Sequence, residues 1–148
     1  MRKLARSGKL VLLGLLVATL TACEILQDLT PREIFFRMTG DAGTAVEVII
    51  ATEFIAGIDQ NGVTQVQVFS SDTLMTNLPV EQVVDVAERK QIFIQVRPLD
   101  QEEISVKVKV QVDGRGLLDD SGKIFSDDPW LYVYVFNRPV TSNIEVVT

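Results

Sequence analysis

The chain has 148 residues, 47 % of them hydrophobic, with 14 Lys and Arg against 20 Asp and Glu, no histidine and one cysteine. Without histidine and with a lone cysteine it cannot assemble Ser-His-Asp or Cys-His nucleophilic sites, Cys/His zinc sites, c-type haem attachment or an intrachain disulfide, so folding must rest on an apolar core. The acidic excess repels nucleic acid, which is excluded as a partner, and no cofactor is expected.

The first element has three parts: a basic start (Arg2, Lys3, Arg6, Lys9), an apolar stretch from Leu10 to Leu20, and small residues ending in Leu20-Thr21-Ala22-Cys23. The apolar stretch is roughly half of the about 20 residues that a membrane-spanning helix needs, which favours a cleaved export signal over an anchor helix. On these residues the chain resembles bacterial lipoprotein precursors. The resemblance implies that Leu20, Thr21 and Ala22 are the recognition positions, that cleavage removes residues 1–22, and that the Cys23 sulfur carries a diacylglyceryl group. It also implies a location in the bacterial cell envelope, with the membrane as a partner through the lipid anchor. Glu24 does not copy the Asp that retains enteric-type lipoproteins at the cytoplasmic membrane, and the periplasmic face of the outer membrane is the favoured address.

Cleavage removes the four cations of the signal and no acid, so ten basic residues face twenty acidic ones and the net charge falls to about −10. A domain so acidic is expected to be repelled by anionic lipid heads and to stand off the bilayer on its tether. Residues 23–32 form the lipidated terminus and spacer. The nine residues from Glu24 to Arg32 reach about 30 Å at most, so the domain stays near its membrane.

From residue 33 to 148 the sequence predicts one all-β domain. Candidate strands are Glu33 to Met38, Thr44 to Ala51, Val63 to Ser70, Val80 to Ala87, Gln91 to Arg97, Ile104 to Val112 and Trp130 to Phe136, with an edge strand from Ile144 to Val147. Ile104, Val106, Val108, Val110 and Val112 alternate with Ser105, Lys107, Lys109 and Gln111, the period of a sheet wet on one face. Gly40-Asp41-Ala42-Gly43, Asp59-Gln60-Asn61-Gly62 and Asp113-Gly114 supply turns. Seven or eight short strands at this spacing predict an immunoglobulin-like β-sandwich, though without the Cys-Trp-Cys set of antibody domains.

Phe36-Arg37-Met38-Thr39-Gly40, then Leu78-Pro79, then Val110-Gln111-Val112-Asp113-Gly114-Arg115 stand in the order of landmarks in MmpS-type proteins. These are membrane-anchored β-sandwiches that assist lipid exporters, and the chain resembles them over about 100 residues. It departs from them at Val80, where a Trp usually follows Leu-Pro, in lacking paired cysteines, and in having a lipid site in place of a transmembrane helix. An accessory role to a membrane exporter is the alternative function that this resemblance implies.

Three groups of residues are candidate sites. Trp130, Tyr132, Tyr134 and Phe136 share one side of a strand and could form an aromatic platform, although a central strand packed in the core explains them better because Leu131, Val133 and Val135 make the other side apolar too. Asp119, Asp120, Asp127 and Asp128 lie in the segment Leu118 to Asp128, read as a solvated loop; calcium there would imply an adhesive module, but the EF-hand spacing is missing and Lys123 sits in the middle. Glu102-Glu103 read as a charged loop edge. No nucleophile elbow, Gly-rich loop or S-x-x-K motif marks a catalytic residue, so the expected function is non-enzymatic: binding or scaffolding among envelope proteins.

Overall fold

The computed structural model describes residues 30–147, and the predicted signal, Cys23 and most of the spacer lie outside them. Ten strands form two sheets: β1 (Glu33–Gly40), β2 (Ala45–Ile58), β3 (Thr64–Asn77), β4 (Val80–Asp85), β5 (Gln91–Pro98), β6 (Glu103–Val112), β7 (Arg115–Phe125), β8 (Trp130–Val135), β9 (Arg138–Val140) and β10 (Ile144–Val147). One sheet has the order β4-β1-β6-β7 and the other β10-β3-β2-β5-β8-β9. All neighbours pair antiparallel except β10, which runs parallel to β3. The described residues therefore form an all-β sandwich, with ten strands in place of the seven or eight expected.

Alternation in β6 creates the main core. Ile104, Val106, Val108, Val110 and Val112 are buried, and they meet Ile34, Phe36 and Met38 of β1 in the same cluster as Val46, Val48, Ile92, Ile94, Val96, Tyr132 and Tyr134 from the opposite sheet. On the wet face of the smaller sheet, Arg37 pairs with Glu81, Lys107 with Asp119 and Lys123 with Glu103. These exposed pairs contribute little individually, about 0–1 kcal/mol. Core burial, not surface charge, holds the sheets together.

A second apolar cluster lies on the other side of the larger sheet. In β2 a register shift between Ile50 and Glu53 inserts an extra residue, which reverses the direction of the side chains that follow. Val46, Val48 and Ile50 thus face the main core, whereas Phe54 and Ala56 join Val66, Phe93 and Val133 in the second cluster. Gln91 ties this bend down, its amide donating to the carbonyls of Thr52 and Phe54, each at 2.9 Å. Only residues 141–143 link β9 to β10, the outermost strands of the sheet, and a link that short spans about 14 Å at most. The two edges of the six-stranded sheet are therefore neighbours, and the sheet rolls around its second core.

The segment expected as a loop from Leu118 to Asp128 is a strand up to Phe125. Asp113 and Gly114, with φ of 48° and 77°, form a two-residue turn that folds β7 straight back onto β6. Glu103 is likewise no loop edge, since it starts β6 opposite Phe125 and its carboxylate lies 2.6 Å from Lys123 Nζ.

Candidate functional site

Strand β8 sits fifth of six in its sheet, between β5 and β9, and both of its faces are covered. Tyr132 and Tyr134 are 0 % and 1 % exposed. The Trp130 ring stacks on Phe36 at 5.6 Å and on Tyr132 at 5.8 Å, completing an aromatic column inside the main core. Leu131, Val133 and Val135 belong to the second cluster. Phe136 leaves the row: the strand ends at Val135, and Phe136 and Asn137, with φ of 43° and 65°, make the turn into β9. The four aromatic residues do not form one exposed platform.

Tyr134 Oη donates to Asn137 Oδ1 at 2.7 Å, but the hydroxyl of Tyr132 is buried with no hydrogen-bond partner. Burial pushes the Tyr132 phenol well above its ordinary range, and the neighbouring Tyr134 adds to the shift. With its phenol raised in the folded state, Tyr132 has no pH-dependent effect below its unfolded value near pH 10, and it costs the fold stability as the pH climbs above that value, because the unfolded chain loses its proton first. Removing an unsatisfied hydroxyl while keeping the ring should help. Tyr132→Phe is expected to be more stable by about 1 kcal/mol at pH 8, with the advantage widening above pH 10; thermal melts of both proteins across that range check it, and a less stable variant would contradict the burial argument.

The four aspartates are not brought together. Asp119 and Asp120 are adjacent in β7 and so point to opposite faces, Asp119 toward Lys107 Nζ at 3.3 Å and Asp120 accepting from the amide of Ser121 at 2.8 Å. Asp127 and Asp128 follow in the turn before β8. Among the described residues no three carboxylate, Cys or His groups are placed to hold a metal ion. Millimolar calcium is accordingly expected to leave the melting temperature unchanged, where a ligand at a hundredfold excess over Kd would raise it by several degrees. Differential scanning with and without calcium measures this directly.

Two features are not visible in the strand pattern. Asp113 uses its carboxylate to accept from the backbone amides of Arg32 (3.1 Å) and Glu33 (3.0 Å), which fastens the chain's entry into β1 to the β6–β7 turn. The second is an open cleft of about 420 Å³ between the tip of the β2–β3 hairpin and the β8–β9 turn. Ala56, Ile58, Val133, Val135, Phe136 and Val140 give it an apolar lining, and Arg138 supplies its one charge. Asp59 shapes the hairpin tip by accepting from the amides of Val63 (2.9 Å) and Asn61 (2.8 Å), bonds that hold its carboxyl below the usual carboxylate range. A cleft lined by these apolar side chains, Thr64 and one cation can receive an apolar group and offer a cation to its polar end. The sequence signal for it, a bulge that redirects Phe54 and Ala56, is silent in the alternation of β2. Comparison with known proteins finds no matching family, no matching curated protein and no matching solved structure.

Proposed function

We propose that the protein is a non-enzymatic lipoprotein of the bacterial cell envelope, held by lipid on Cys23, favoured at the periplasmic face of the outer membrane, with its sandwich binding or scaffolding other envelope components. The observation that carries this reading is the placement of the only cysteine in Leu20-Thr21-Ala22-Cys23, directly behind a basic start and a short apolar stretch. The apolar cleft supports a binding role, because its lining offers apolar contact area and one cation.

Fractionation of cells expressing the full chain tests it. The protein is expected in the membrane pellet, released by detergent and retained through high salt and alkaline carbonate. Cross-linking of intact envelopes should move it to a larger species. Release by salt would refute the lipid anchor, and a cross-linked population that stays monomeric would refute scaffolding.

A further inference from the structure

Where the chain enters the sandwich determines which end faces a bilayer. The Arg32 carbonyl accepts from the Val86 amide at 2.8 Å, the Val86 carbonyl from Lys90 at 2.6 Å, and the Lys90 carbonyl from Phe136 at 3.2 Å. Three hydrogen bonds therefore run from the start of β1 to the β8–β9 turn. Arg115, at the start of β7, joins this end through the Asp113 turn, and Ile58 joins it across the cleft that it shares with Phe136 and Arg138.

Phe136 and Ile58 are 61 % and 76 % exposed. Phe136 also occupies a positive-φ position, which is sterically unfavourable for a bulky residue, and it does so where its ring meets solvent. Around them Arg32, Lys90, Arg115 and Arg138 offset Glu33, Asp59, Asp85 and Glu88, while the Asp113 carboxylate is engaged by backbone amides and Arg89 pairs with Glu53 at 2.5 Å. The opposite end is unbalanced: Asp41, Asp100, Glu102, Asp127 and Asp128 cluster in its loops, none of them in an ion pair among the described residues.

We propose that the domain docks end-on against the phospholipid bilayer that holds its anchor, with Phe136 and Ile58 entering the headgroup region and the acidic end directed away. This rests on the lipid-anchor reading above. The spacer from Glu24 delivers the domain at Arg32, on the docking end, and limits its distance from the surface to about 30 Å. Tethering makes the contact intramolecular, so a small apolar tip suffices. Five of the ten excess negative charges lie in the loops of the far end, against one at the docking end and two in the spacer, and repulsion at the far end orients the domain instead of lifting it away. An aromatic ring suits the boundary between headgroups and acyl chains.

The test uses the full lipidated protein in vesicles of phosphatidylethanolamine and phosphatidylglycerol doped with a shallow nitroxide lipid. Phe136→Cys, Ile58→Cys and Asp127→Cys each provide one thiol for a fluorophore, since acylated Cys23 does not react. Quenching at positions 136 and 58 is expected to exceed that at 127 several-fold. Equal quenching in a chain that carries its acyl groups by intact mass would overturn the docking alone. A label at 136 shielded from aqueous iodide but untouched by the nitroxide lipid would also overturn it, because a protein or a second copy then covers that end. A chain whose mass shows no acyl group would overturn the anchor and the docking with it.

Discussion

Cys23→Ser is expected to move the protein from the membrane fraction to the soluble fraction or to leave an uncleaved precursor, and to abolish labelling with a fatty-acid analogue. A serine hydroxyl cannot take the thioether lipid, and among the described residues no helix is long and apolar enough to cross a membrane. Each buried methylene contributes about 0.8 kcal/mol, so a diacylglyceryl group with two long chains anchors firmly where a single chain does so only marginally. The two side chains proposed to touch the bilayer bury far less apolar area than those acyl chains, and alone they do not retain the domain. A Cys23→Ser protein that is processed normally and still pellets with membranes, resistant to salt, would contradict the anchor assignment.

Val108→Asp is expected to unfold the domain or lower its stability by several kcal/mol, whereas its neighbour Lys107→Asp is mild. Val108 is 2 % exposed in the main core, where a carboxylate finds no partner and must be buried charged or take up a proton. Total stability for a domain of this kind is about 5–15 kcal/mol, so one such substitution consumes much of it. Lys107 is exposed on the wet face of β6, and its replacement loses a solvated pair with Asp119 and sets two acids near each other, together about 1 kcal/mol. Thermal melts of the two variants should differ by well over ten degrees. Equal effects would contradict the assignment of one dry and one wet face to β6, and reversed effects would mean that its register is wrong by one residue.

That register was legible because β6 has one dry and one wet face, so burial imprints its period on the sequence. Strand β7 left no such imprint: among its eleven residues Ile124 is buried and Leu118 and Phe125 are half-buried, with no period of two, and the strand is held by backbone pairing with β6. Its local signal was the Asp113-Gly114 pair, which demands a strand on each side when it forms a two-residue hairpin turn. β9 escaped for a related reason, being three residues long and entered through Phe136-Asn137, a turn built from a residue that rarely takes positive φ. The lengths of β2 and β3 were short by several residues because the bulge at Ile50 to Glu53 changes which face is apolar, and a fixed period cannot follow it. The cleft depends on that same bulge. Its members come from strands far apart in sequence, and only the rolling of the six-stranded sheet brings Ile58 to Phe136.

The position of β1 constrains how the chain can acquire its fold. The first strand among the described residues lies inside the four-stranded sheet, hydrogen-bonded to β4 on one side and to β6 on the other. Its partner Val112 follows Ile34 by more than half the length of the domain, so the loop-closure entropy of that pairing must be met before any of its contacts form. A polypeptide emerging N-terminus first can pair β1 with β4 and β2 with β3 and β5, but β1 gains its second neighbour, and the main core its valine face, only once β6 has appeared. Under the export proposed above, β1 completes its pairing only after β6 has crossed, and the burial of Ile34, Phe36 and Met38 between the sheets then sets an unfolding cost against any backward movement.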